Sequence, residues 1–191
     1  KIMLLFMILT AVLSAFLDNV TTVLLVGPMA ISIAGILGID PVPFLLTQIL
    51  ASNIGGTATL IGDPPNIMIG SKAGLSFADF VVTTGPAVIL IMIVIGALFY
   101  AVYGRRMVVA PERMAAVMEL DEKRAVQDGM LMKKSLVMIA LIVLGFVCHS
   151  SLGVESCVVA LAAASIMLLI GRQDIEEIVL GVEWSTILFF T

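Results

Sequence analysis

The sequence predicts an all-α polytopic membrane protein organised around a re-entrant helical hairpin and a broken transmembrane helix. Three observations predict it. Of 191 residues, 61% are hydrophobic and only 13% are charged, whereas soluble domains carry about 25% charged residues. Apolar runs recur at close to the roughly 20 helical residues that cross a hydrocarbon core about 30 Å thick. Two of these runs are interrupted where a crossing helix is otherwise oil-like, by DNVTT at 18–22 and by SNIGGTATLIGDPPN at 52–66. The lipid bilayer is therefore the first partner. The net charge of -4 and the scarcity of aromatics leave no basic stripe for nucleic acid.

The elements follow in order. Residues 1–38 hold two apolar arms, 2–17 and 22–38, on either side of DNVTT. Each arm is about 24 Å long at about 1.5 Å per residue, short for a crossing. The segment reads as a hairpin with its tip at 18–22 that dips in and returns, or as two spans joined by a tight loop. Residues 40–71 are long enough to cross but are broken midway. Gly55 and Gly56 release the backbone, and Pro64 and Pro65 lack the amide donor that continues a helix.

Beyond the break, residues 85–104, 135–150 and 154–171 read as transmembrane helices, the last two forming a hairpin about Leu152 and Gly153. A further helix begins at 184–191 and is cut off, so the chain reads as a piece of a longer polypeptide. Cys148 and Cys157 read as buried small hydrophobes rather than a disulfide, and His149 as an interfacial residue. The loop 105–134 holds seven of the ten basic residues, which places it on the cytoplasmic side of the cell membrane. It is also helix-prone and reads as a solvated connector.

Irregular backbone at membrane depth is tolerated only against protein or a water-filled cavity. The two polar breaks supply hydroxyls, amides and carboxylates, an all-oxygen set that suits a hard cation. The candidate ion- or substrate-binding residues are Asp18, Asn19, Thr21, Thr22, Ser52, Asn53, Gly55, Gly56, Thr57, Asp63 and Asn66. Within that set Asp18, Asn19, Gly55 and Thr57 are the candidate sodium ligands. Intramembrane carboxylates are costly and mark function, so Asp18 is the expected exchanging group. The GDPPN context of Asp63 also reads as a capped turn in which the carboxylate bonds local amides. Asp40 and Asp79 read as surface helix caps. Ser52, Thr57 and Thr59 serve close helix packing as readily as a site.

These motifs carry a resemblance. FLDNVTTVLLVGPMAISIA followed by NIGGTATLIGDPPNIMIGSKAGLSFADF resembles the ion transporter superfamily of arsenite permeases, NhaD-type sodium/proton antiporters and the melanosomal P protein, over residues 10–104 at least. The resemblance implies two inverted repeats, each with a re-entrant hairpin and a broken helix, as in the citrate and dicarboxylate carriers. This chain then holds the first repeat and the start of the second, and the missing C-terminal repeat completes the site. A homodimer is implied in the same way. Carried over, Asp18, Asn19 and Val20 stand at the hairpin tip and residues 52–57 at the break.

Asp18 and Val20 replace the serine and threonine of the carboxylate carriers. A fixed negative charge disfavours a dicarboxylate and favours a cation or a neutral oxyacid. The expected activity is secondary active transport, not enzymatic, by sodium- or proton-linked antiport, with sodium or a proton as coupling ion and no other cofactor. Efflux of arsenite or another small oxyacid and sodium-coupled citrate or dicarboxylate transport are the alternatives. An intramembrane aspartyl protease fits poorly, because Leu60 stands where its second aspartate motif needs glycine.

Overall fold

Helix caps written in the sequence set most of the element boundaries. The computed structural model describes residues 2–104, 109, 111–118, 129–171, 175–182 and 184, in two units, residues 1–121 and 122–191. The first unit contains α1 (Ile2–Ser14), α2 (Asn19–Leu37), α3 (Pro41–Gly56), α4 (Pro64–Ala73), α5 (Phe77–Tyr103) and α6 (Pro111–Met118). Asp18 caps α2 and Asp40 caps α3 through the Val42 amide. Ser76 and Asp79 form a reciprocal box that starts α5.

That box explains one departure from the sequence expectation. The helix expected at 85–104 begins at Phe77, and Pro86 lies inside it. Proline at 86 removes one backbone bond without ending the helix, because the capped first turns are already in place. A second departure concerns the hairpin. The chain reverses at 15–18, and Asn19 to Thr22 form the first turn of α2 instead of an open tip at 18–22. Asp18 takes up the amides of that turn and so makes it helical.

α1 and α3 run parallel, with Thr10 against Gln48 and Ser14 against Ser52. α2 runs antiparallel to α3, with Asn19 beside Asn53. At the end away from this contact, Met3 and Phe6 of α1, Val26 and Ala30 of α2 and Phe44 of α3 form an apolar core. The rings of Phe6 and Phe44 meet edge to face at 6.4 Å. α2 ends at Gly38, whose φ of 66° suits glycine. The Arg113 guanidinium of α6 lies over Gly38, where a side chain would stand, and donates to Leu37 O at 3.4 Å. A basic side chain from the loop thus caps a transmembrane helix.

The second unit contains α7 (Gly129–Leu152), α8 (Ser156–Gly171) and α9 (Ile175–Leu180). α7 and α8 form the expected hairpin, turning at Gly153 with φ 65°. α7 starts six residues before 135, so Lys133 and Lys134 belong to the helix rather than the loop. Cys148 and Cys157 are free thiols, and both are exposed rather than buried as expected. The His149 side chain, residues 119–128 and residues 185–191 lie outside the described set.

Every described regular element is a helix. Asn19–Leu37, Phe77–Tyr103 and Gly129–Cys148 are long and apolar enough to cross a bilayer. The protein is an all-α integral membrane protein.

Candidate functional site where the hairpin tip meets the broken helix

The polar character of α1 and α3 rises toward one end. Along α3 the buried face reads Phe44, Thr47, Gln48, Ser52, Gly55 and Gly56, and along α1 it passes from Met3 and Phe6 to Thr10 and Ser14. Hydrogen bonds cross the seam between them, although Gln48 Nε2 finds no partner among the described residues. The Thr10 hydroxyl contacts both Phe6 O and the Gln48 side-chain amide. One hydroxyl hydrogen serves one acceptor at a time, so Phe6 O and Gln48 Oε1 share the Thr10 hydroxyl hydrogen. Ser14 donates to Ser52 O at 2.7 Å, and Thr59 donates to Ala15 O.

Glycines allow this approach. A methyl group at Gly55 would overlap the Ala11 backbone, and one at Gly56 would stand 2.7 Å from Gly62 O. Gly62 in turn lies against both Gly56 and the Ser14 carbonyl. Gly55 and Gly56 are therefore packing residues at the end of α3, where three backbone segments converge. The helix stops at Thr57, and the chain crosses residues 57–63 before α4 begins.

The depth of this junction can be read from α5. The Thr84 hydroxyl, seven residues into that helix, donates to Phe80 O at 2.7 Å and lies 3.2 Å from Ala58 O. Gly96 lies level with Leu4 and Met7 of α1. The break thus sits about 10 Å along a helix about 40 Å long. When α5 crosses a core of about 30 Å, the tip and the break lie inside it.

The structure assigns distinct tasks to the eleven candidate residues. Asp18 accepts from the Thr21 amide and the Thr21 hydroxyl, both at 2.8 Å, and the Asn19 and Val20 amides also point at it. It is a satisfied helix cap. Asp63 precedes α4 but makes no cap bond, since Pro64 and Pro65 supply no amide hydrogens in the first turn. The expectation that GDPPN occupies its carboxylate locally does not hold. Gly62 against the Ser14 carbonyl and Thr59 on Ala15 O bring the two breaks to one place, which sets Asp18 and Asp63 near enough for their charges to interact.

Asn19 donates to Asn53 Oδ1 at 3.1 Å, tying tip to α3, while Asn53 itself donates to Ile49 O. Asn66 donates to Gly56 O at 3.3 Å and Thr59 O at 2.9 Å, bridging the break from its far side. Two carbonyl partners fix the orientation of that amide. Thr57 spends its hydroxyl hydrogen on Asn53 O, and Gly55 O accepts from the Ala58 amide. Ser52 is fully buried, its hydroxyl donating to Ile49 O. Thr22 is also fully buried on the inner face of α2, and its hydroxyl has no partner among the described residues.

Asp18, Asn19, Asn53, Thr57, Asp63 and Asn66 thus cluster on the accessible side of the junction, whereas Ser52, Gly55, Gly56 and Thr22 face inward. Sequence reasoning missed most of the seam beneath them, namely Thr10, Ser14 and Gln48, and named only Thr59 of it. Its signal is polar residues four apart on otherwise apolar helices, Thr10 with Ser14 and Gln48 with Ser52.

The patch is rich in acceptors and poor in donors. Helix N-termini ordinarily offer free amides to anions. Here Asp18 consumes those of α2, and proline removes those of α4. The Asp63 carboxylate, Asn19 Oδ1 and Asn66 Oδ1 accept no hydrogen bond among the described residues. Nor is there, among those residues, a group of three His, Cys, Asp or Glu to hold a transition metal. The arrangement suits a proton or a hard monovalent cation.

The sequence matches, over residues 1–191, the family described as Citrate transporter. It is 40% identical over 190 residues to the 46 kDa membrane protein of Mycobacterium leprae (strain TN), covering all of this chain and 44% of that protein. The same figures hold for an uncharacterized transporter of Mycobacterium tuberculosis (strain ATCC 25618 / H37Rv). The P protein of Homo sapiens is 29% identical over 255 residues, covering 96% of this chain and 30% of that protein. The chain spans less than half the length of these curated relatives. No solved structure matches it significantly. Fold, membrane character and sequence agree: the chain belongs to the citrate transporter family.

Proposed function

We propose that the full-length protein is a secondary active transporter whose coupling cation, sodium or a proton, is held between the hairpin tip and the break. The observation that carries this reading is the acceptor-rich patch, in which the Asp63 carboxylate is unengaged while the helix amides that would favour an anion are consumed or missing. Asp63 is the exchanging group. Asp18 adds negative charge beside it and holds the tip in shape. Broken helices near the bilayer midplane serve this purpose in transporters built from inverted repeats. The part of the full-length protein beyond this chain contributes the second repeat and the opposite wall of the site. The basic loop 105–134 faces the cytoplasm and the protein works in the plasma membrane, as a homodimer.

The family description makes a citrate-type polycarboxylate the first substrate to test. Bare citrate would meet two carboxylates in this patch, so the cation binds first and offsets one of the two negative charges. A neutral oxyacid such as arsenous acid escapes that repulsion and is the second substrate to test.

The test uses the full-length protein in liposomes, with radiolabelled sodium, citrate or arsenite and an imposed sodium or proton gradient. Accumulation that depends on either gradient, and that falls at least about tenfold in folded Asp63→Asn, is the expected result. Flux indifferent to both gradients and to Asp63→Asn would overturn the proposal.

A further inference from the structure

The α7–α8 hairpin carries a feature that the transport reading does not use. The two helices touch closely at Gly145, where a methyl group would lie 2.6 Å from Val159 Cγ1. Beside this contact a groove of about 680 Å³ opens, lined by Met138 and Leu141 of α7 and by Val158, Ala162 and Ala163 of α8. That volume lies within the range of sites that take a small ligand.

Its lining is apolar except at one end, where Lys133 and Lys134 stand. Lys134 donates to Ile170 O at 3.0 Å, which fixes its ammonium at the C-terminal end of α8. Lys133 is exposed, and no carboxylate pairs with either lysine among the described residues. An apolar groove with two cations at one end is complementary to one class of molecule.

We infer that this groove is a binding site for an anionic phospholipid, whose acyl chain lies between α7 and α8 and whose phosphate meets Lys133 and Lys134. The charge pattern selects this occupant. An apolar helix of the same protein filling the groove would leave two lysines facing apolar side chains, whereas a phosphodiester can accept hydrogen bonds from both and offsets one of their two charges. Basic residues at the end of a transmembrane helix pair attract anionic headgroups for this reason. The acyl chain supplies affinity through the apolar lining, and the lysines supply headgroup preference. The site stands independently of the substrate and of the coupling ion.

The experiment is native mass spectrometry of the full-length protein, released from mild detergent after equilibration with phosphatidylglycerol and phosphatidylcholine of matched chains. The wild type retains phosphatidylglycerol in preference. Lys133→Gln lowers that preference by about fivefold, the effect of one cation at a membrane surface, while total lipid retained stays the same. Ala162→Trp fills the groove and lowers retention of both lipids, with an unchanged melting temperature showing that the hairpin is intact. Should Ala162→Trp unfold the protein, Ala162→Leu is the milder filling and carries the same expectation. Equal retention of the two lipids by the wild type, or a preference that neither substitution alters, would overturn the inference and mark the groove as covered by protein.

Discussion

Asp18 and Asp63 occupy equivalent local positions, each just before a helix and each at the junction of tip and break, yet the chain treats them in opposite ways. Asp18 is followed by Asn19, Val20 and Thr21, whose amides all reach its carboxylate. Asp63 is followed by two prolines, which have no amide hydrogen to offer. One carboxylate is therefore spent on starting a helix, and the other is left for chemistry. The difference lies entirely in the residues that follow. An intramembrane aspartate is not functional by charge alone; the number of local donors decides what remains of it.

The comparison can be broken or sharpened at several points. The largest effect belongs to the scaffold shared by both sides. Gly55→Val drives a side chain into the Ala11 backbone, and a loss of at least about 3 kcal/mol is expected, read as loss of monodisperse protein in size-exclusion chromatography. Retention of a wild-type melting temperature would mean that α1 and α3 are not held at this distance. Next comes Asp63→Asn, which is expected to reduce gradient-driven flux at least about tenfold while leaving thermal stability within about 0.5 kcal/mol of wild type. Asp18→Ala has the opposite signature. It removes the α2 cap at a cost of about 1–2 kcal/mol, and Asp18→Asn restores that stability while weakening cation affinity several-fold through the lost charge. If Asp18→Ala melts like wild type but is inactive, the assignment of the two roles is reversed.

The smallest effect is at Thr22. Its hydroxyl is buried without a partner on α2, so Thr22→Val is expected to be neutral or to stabilise by about 1 kcal/mol, with unchanged cation dependence. A fall in cation affinity would instead extend the site inward beneath the tip.

Part of this architecture is legible in the sequence. Hydropathy gave the helical segments, and the two polar interruptions identified the places that meet. Other parts needed the third dimension. Gly55 and Gly56 read as backbone release, but in space they are the points at which α1 and Gly62 reach α3. Ser52 read as a ligand because serine in an apolar run is conspicuous, yet its hydroxyl bonds the preceding turn of its own helix. A helical hydroxyl three or four residues after a carbonyl always has this option, and sequence cannot tell which it takes. The start of α5 was misplaced because Gly85 and Pro86 resemble a boundary, while the actual start depends on a side-chain box around Ser76. The tip was placed too late for a related reason. Asp18 looked like part of an open turn, but its carboxylate winds the next residues into helix.

The central claim is that Asp63, and not Asp18, is the carboxylate that exchanges the coupling cation. Transport currents of the full-length protein on a solid-supported membrane, evoked by a sodium or proton jump, test it most directly. The account predicts that Asp63→Asn abolishes the current, while Asp18→Asn keeps it at higher cation concentration. A current that survives in Asp63→Asn and vanishes in folded Asp18→Asn would contradict it.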